Sequence, residues 1–413
     1  MVHVFFCLLL FWSTPKEQSV PFLSEKIFIE KESLHSLKGT LYLPLDGKPQ
    51  KIVIFLVSIR YEIEEKFELT NDPLLMQYIQ SLLSDKVGVL LLNRGEYNIF
   101  NKNKSQRDIE IEALLEHSIE TAAYDAETAL IYLKSDIKYS KIPVGIMGIS
   151  ETGCAAAIAV SKSKKADFAV LISTPGIKGV EEHKYDKENL HSHWIKAAMF
   201  SETLSDSIYF YEKEKFVKKN DGFDSVFYAN FYNIVVDIEH QIILKYENYD
   251  SITYYANKLF YEKWNGTVFK PKLRKLGEEQ SLDSYINSII NILFTPRYIA
   301  FSRWNPDSCF PDIKCPVLML YGRKDININL NSGVDNVKKI VADYQLNNFS
   351  LKCYEGLDHT LFLDKGIKPN ERKNILQNEF IPDYVLLDIR EWMDLMLFGY
   401  QEWTMQGLQL KLR

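Results

Sequence analysis

The sequence predicts an α/β protein: a mostly parallel central sheet flanked by helices and interrupted by one inserted helical segment. Three observations predict it. Short apolar runs that read as buried strands alternate with amphipathic stretches of helical length through about the first 176 residues. From about 178 to 300 that rhythm stops, and the chain becomes helical, aromatic and heavily charged, as in "SDSIYFYEKEKFVKK" and "YENYDSITYYANKLFYEKW". Beyond 300 it resumes with "CPVLMLYGRKD". Strands joined by helices of this length make right-handed crossovers, which cover both faces of a sheet.

The elements follow in order. "KIFIEKES" and "LKGTLYLPL" read as two strands joined by a turn, and "KIVIFLVS" as a third, fully buried one. Next come a helix over "DPLLMQYIQSLLSD", a strand over "KVGVLLLNRG" and a long helix over "DIEIEALLEHSIETAAYDAETALIYLKS". "PVGIMGI", "ETGCAAAIAVSKSK" and "DFAVLISTPG" give strand, helix and strand. After the insertion, "CPVLMLYGRKD" is strand, "NSGVDNVKKIVADYQ" helix, "FSLKCYEG" strand and "PDYVLLDIREWMDLM" a further helix. The organisation expected is therefore a first core part over 19–177, a helical cap over 178–300 and a second core part over 301–413.

Bulk properties narrow the function. With 413 residues, 46% of them hydrophobic, the chain buries a large core. A formal net charge of -6 leaves no basic footprint for nucleic acid. No P-loop, dinucleotide glycine fingerprint or internal repeat is present. The amino-terminal "MVHVFFCLLLFWSTPKEQS" carries an apolar run of signal-peptide length, too short for a stable membrane span. It predicts a signal peptide over 1–18 and a periplasmic or secreted location, the alternative being a cytoplasmic protein with a buried amino-terminal segment. Cys7, Cys154, Cys309, Cys315 and Cys353 form no disulfide framework and are expected as free buried thiols. His183, His191 and His193 cluster in "HKYDKENLHSHW" without metal-ligand spacing, so a solvated helix surface is expected there and no metal.

The chemistry centres on "PVGIMGISETGCAAAIAV", where a strand turns directly into a helix at Ser150. A sharp turn there strains the serine backbone and lifts its hydroxyl clear, while the helix N-terminus aims N–H groups at whatever the serine attacks. On this stretch alone, Ser150 reads equally as an ordinary helix N-cap. An acyl-transfer serine needs a base and an acid to orient that base. Asp325 follows the strand "PVLMLYG", and His359, in "EGLDHTLF", follows the next strand; of eight histidines only His359 lies beyond Asp325. Asp312, Asp358 and Asp364 are also nearby, but Asp312 precedes its strand and Asp358 adjoins the histidine.

"GISETG" resembles the G-x-S-x-G elbow of the α/β-hydrolase superfamily, and more closely the "GHSEGG" form of bacterial esterases and the serine aminopeptidase-like group. "NPDSCFPDIKCPVLMLYGRKD" and "YEGLDHTLF" are similar to that group's acid-strand and histidine-loop segments, and "LNRGEYNIF", with Arg94 and Gly95, to its loop after strand 4. The similarity runs over roughly 25–400 and is weakest in the cap. It implies a serine hydrolase of esters or, second, of amides and short peptides, with Ser150 as nucleophile, Asp325 as acid and His359 as base. The implied oxyanion donors are the backbone N–H of Glu151 and that of Ser58 or Ile59 after the third strand. This chemistry calls for no cofactor. Three positions depart from that pattern: Thr152 at a usual glycine, Ile149 at a common histidine, and "FLVSIRYE" in place of a glycine-rich loop; the first and last point toward a noncatalytic binding protein that kept the fold. Thr152 is expected to crowd the turn.

Overall fold

The computed structural model describes residues 22–30, 37–57, 73–93, 118–189, 234–265, 295–363 and 381–398. The amino-terminal segment, the Arg94–Gly95 loop, Asp364, and Ser58 and Ile59 lie outside these residues.

Eight strands form one sheet: β1 (Phe22–Ile29), β2 (Leu37–Pro44), β3 (Lys51–Leu56), β4 (Val87–Asn93), β5 (Val144–Ile149), β6 (Phe168–Ile172), β7 (Val317–Gly322) and β8 (Phe349–Tyr354). Their spatial order is β1-β2-β4-β3-β5-β6-β7-β8. β1, β2 and β4 pair antiparallel, whereas every contact from β4 through β3 to β8 is parallel. The mostly parallel sheet expected from the sequence is thus present, with one antiparallel flank.

Burial on both faces explains why the central strands read as unbroken apolar runs. Along β3, Ile52, Ile54 and Leu56 enter one core and Val53 and Phe55 the other. The first core is closed by α2 (Ile119–Ser135), α3 (Glu151–Lys162) and α7 (Leu330–Asp343), and the second by α1 (Pro73–Ser84) and α8 (Asp383–Phe398). Alanines bring α2 and α3 close: Ala122, Ala126 and Ala129 share a core with Ala155, Ala156 and Ala159. Lys51, almost wholly buried, is neutralised by an ion pair to Asp394 of α8.

The long helix starts later than "DIEIEALLEHS" suggests. Ser118 caps it in a reciprocal capping box with Thr121, so α2 begins at Ile119; residues 94–117 lie outside the described set. Among the described residues of 178–300 the chain is helical: α4 (Gly179–Asn189), a π-helical turn (Glu239–Ile243), α5 (Tyr249–Asn265) and the start of α6 (Pro296–Ser302). None of the described helices is long and apolar enough to cross a membrane.

Candidate active site

Ser150 stands at the junction of β5 and α3 with φ 58° and ψ −123°. That left-handed backbone costs a non-glycine residue about 1–3 kcal/mol and persists only where the surroundings impose it. They do so here. The Ser150 N–H donates to Ile172 O of β6 at 2.7 Å, and the Ser150 carbonyl accepts from Gly153 N–H at 2.9 Å. Gly148 is required by close approach, since a Cβ there would lie 2.2 Å from the Thr152 carbonyl oxygen. The Ser150 side chain makes no capping bond to α3. The ordinary N-cap reading therefore fails, and the strained elbow is what the structure shows.

Asp325 lies just beyond β7 with its side chain fully buried. One carboxylate oxygen accepts the Asn327 N–H at 2.8 Å; the other lies 2.8 Å from His359 Nδ1. A carboxylate only accepts, so Nδ1 carries the proton and Nε2 of a neutral ring is left as the basic nitrogen. The loop after β8 that bears His359 is held by Asp358, whose Oδ1 accepts from Thr360 N–H, the Thr360 hydroxyl and Phe362 N–H. It is stitched to the acid loop as well: Arg323 N–H donates to Tyr354 O and Lys324 N–H to Leu357 O. At Gly322 a Cβ would strike Asp358 O at 2.2 Å, which explains the glycine that ends β7.

Asp325 and His359 are thus hydrogen-bonded to each other, and Ser150 reaches the same carboxyl edge of the sheet two strands from β7. The rejected acids are elsewhere occupied: Asp358 caps the histidine loop and Asp312 sits in a 3₁₀ turn before β7. Of the expected oxyanion donors, Glu151 opens α3, where the first N–H groups of a helix have no intrahelical acceptor.

Three features escaped the sequence reading. Thr152 does not simply crowd the elbow; its hydroxyl accepts from Ile149 N–H at 3.0 Å and lies 2.9 Å from both Leu56 O and Ile149 O. The Glu151 carboxylate is gripped by Arg297 of α6, whose Nε lies 2.9 Å from each oxygen. Ser173, directly after β6, is a second left-handed residue on this edge, with φ 46° and a buried hydroxyl that finds no hydrogen-bond partner among the described residues.

The histidine cluster needs correction. His183 is not on a solvated surface but buried, its Nδ1 2.7 Å from Glu239 and its ring stacked on Tyr298 at a centroid distance of 4.2 Å. The burying groups come from segments far away in sequence, so local polarity misled. His191 and His193 lie outside the described residues, and no group of three or more metal-binding side chains occurs among those described. Cys154, Cys309, Cys315 and Cys353 are free, Cys7 lying outside the described set. Burial pushes the thiols of Cys309 and Cys315 up to about 12 and Cys154 well upward, which keeps Cys154, one turn beyond the elbow, an inert thiol.

No protein-family model matches the chain, and no curated protein matches it. Solved structures do match in outline. Est1E from Butyrivibrio proteoclasticus is 11% identical over 91% of this chain and 99% of its own, with a TM-score of 0.43. An esterase of Pyrococcus furiosus is 13% identical over 90% and 91%, also at 0.43. An acylaminoacyl peptidase of Pyrococcus horikoshii is 12% identical over 94% of this chain but only 44% of its own, at 0.44. What decides the fold is internal to the molecule: the parallel run from β4 to β8, the strained serine between β5 and α3, and acid and histidine following β7 and β8 in that chain order. The chain has the α/β-hydrolase fold.

Proposed function

We propose that the protein is a serine hydrolase that cleaves esters, with amides or short peptides as a second substrate class, through an acyl-enzyme. The observation that carries this reading is the 2.8 Å bond from buried Asp325 to His359, at the same sheet edge as a strained, uncapped serine. In it, Ser150 Oγ attacks the substrate carbonyl carbon while His359 Nε2 takes the hydroxyl proton. Asp325 holds the imidazole and offsets the charge of the imidazolium. The tetrahedral oxyanion is met by the Glu151 N–H and by a second donor on the chain leaving β3, where Ser58 and Ile59 are the sequence candidates. His359 then returns the proton to the departing alcohol, and water repeats the cycle to free the acid.

The helices within 178–300 serve in this reading as a cap. Its support is the Arg297 grip on Glu151, which ties α6 to the residue next to the nucleophile. Thr152, the residue that favoured a noncatalytic reading, is seated by hydrogen bonds without displacing the elbow. The test is labelling with a fluorophosphonate followed by peptide mapping. Modification is expected at Ser150 and at no other serine, and Ser150→Ala should lower kcat on an aryl ester by about 10⁴–10⁶-fold. A folded protein that stays unlabelled under prolonged exposure overturns the reading.

A further inference from the structure

Thr152 stands at the second position of α3, yet its side chain serves the sheet. In the parallel β3–β5 ladder, Ile52 N–H donates to Pro143 O, and Ile52 pairs with Val144 and Leu56 with Gly148. Every second residue of β3 therefore bonds the two β5 residues that flank its partner. By that pattern the last rung joins Ile149 N–H to Leu56 O. The Thr152 hydroxyl sits on both ends of this rung, accepting from Ile149 N–H at 3.0 Å and reaching Leu56 O at 2.9 Å. Its single proton also has Ile149 O at 2.9 Å, so the hydroxyl is enclosed by three main-chain groups.

The rung lies where geometry matters most. Ile149 precedes the nucleophile, and Leu56 is the last residue of β3, followed by Val57, which is also buried. The substrate oxyanion must fit between the Glu151 N–H on one side and the chain leaving β3 on the other. Two strands linked only by an end rung fray, whereas a hydroxyl bonded across that rung holds them at one separation. Valine has the same shape as threonine but neither donates nor accepts.

We propose that Thr152 is a positioning residue whose hydroxyl clamps the exit of β3 to the serine elbow and so fixes the width of the oxyanion cleft. The inference rests on the reading of Ser150 as nucleophile. It turns the residue that looks like a defect of the elbow into a working part of it.

The experiment compares wild type, Thr152→Val and Thr152→Ser. For each, kcat and KM are measured on 4-nitrophenyl acetate, with affinity for phenylboronic acid, which forms a tetrahedral adduct on a serine, and the rate of fluorophosphonate labelling. Circular dichroism and the thermal midpoint monitor folding. Misplacing a reacting group by an ångström costs on the order of a hundredfold, so Thr152→Val should lower kcat by roughly 10- to 100-fold with KM little changed. Boronate affinity should fall in step with kcat/KM. Thr152→Ser keeps the hydroxyl and should restore most of the rate. A purely structural residue would instead lower the thermal midpoint without this kcat-selective loss and its rescue by serine. Wild-type kcat and boronate affinity in Thr152→Val would overturn the inference while leaving the serine mechanism intact, as would a loss that serine does not restore. Absence of labelling in the wild type would overturn both.

Discussion

His359→Ala is expected to lower kcat for an aryl ester by about four to six orders of magnitude, with an unchanged circular dichroism spectrum. The loss is that large because Ser150 is a weak nucleophile until its proton is taken, and the chain offers no second histidine beyond the acid strand. Asp325→Asn should cost about 10⁴-fold by a different route. The amide nitrogen facing Nδ1 would be a donor, which stabilises the tautomer that places the proton on the wrong nitrogen. The wild-type rate should also climb with pH. A histidine base must be neutral to accept the serine proton, and imidazoles ordinarily lose theirs near 6.5, so the ascending limb belongs at roughly pH 6–8. Rates of the two variants and wild type across pH 5–9 check this; substantial activity in His359→Ala would show that the base lies elsewhere.

Gly148→Ala should lower stability by about 3 kcal/mol in urea unfolding. The added carbon would lie 2.2, 2.5 and 2.7 Å from Thr152 O, Thr152 C and Gly153 N, all of them main-chain atoms. No rotamer relieves such a clash, so α3 would have to move away from β5. That movement would relax the left-handed Ser150, and labelling by a fluorophosphonate should slow in parallel. Gly333→Ala is the milder comparison: its new carbon meets nothing nearer than Gly176 N at 3.3 Å and sits at the start of α7, where alanine favours the helix. Equal unfolding midpoints for the two variants would show that the elbow is looser than its contacts imply.

What the sequence made legible followed from local rules. The buried runs of β3, β5, β6 and β7 are continuous because both faces are covered, and a continuous apolar run bounded by turns needs no partner to be recognised. The positions of Asp325 and His359 were readable because each stands one short loop after a strand. Features made by distant partners were not. Glu151 and Arg297 are 146 residues apart, Thr152 and Leu56 are 96 apart, and His183 and Glu239 are 56 apart. No propensity of threonine foretells a backbone acceptor supplied by another strand, and a histidine amid charged neighbours looks solvated until Tyr298 and Glu239 cover it. That the alanines of α3 pack against α2 is likewise a property of the assembled sheet.

The pairing of β6 with β7 has a consequence for how the molecule is made. These strands lie side by side, Ala169 against Val317, although the whole of 173–316 separates them in the chain. At a synthesis rate of about 5–20 residues per second, that stretch takes roughly 7–30 s to emerge. Throughout the interval β6, apolar along its length, is a sheet edge with no neighbour. An uncovered apolar edge pairs readily with other chains, so rapid overexpression should favour aggregates, and slower translation or lower temperature should favour soluble protein. Over the same seconds the nascent chain carries Ser150 but neither Asp325 nor His359. In the proposed mechanism, the growing polypeptide therefore stays chemically silent until the chain that supplies Asp325 and His359 has also emerged.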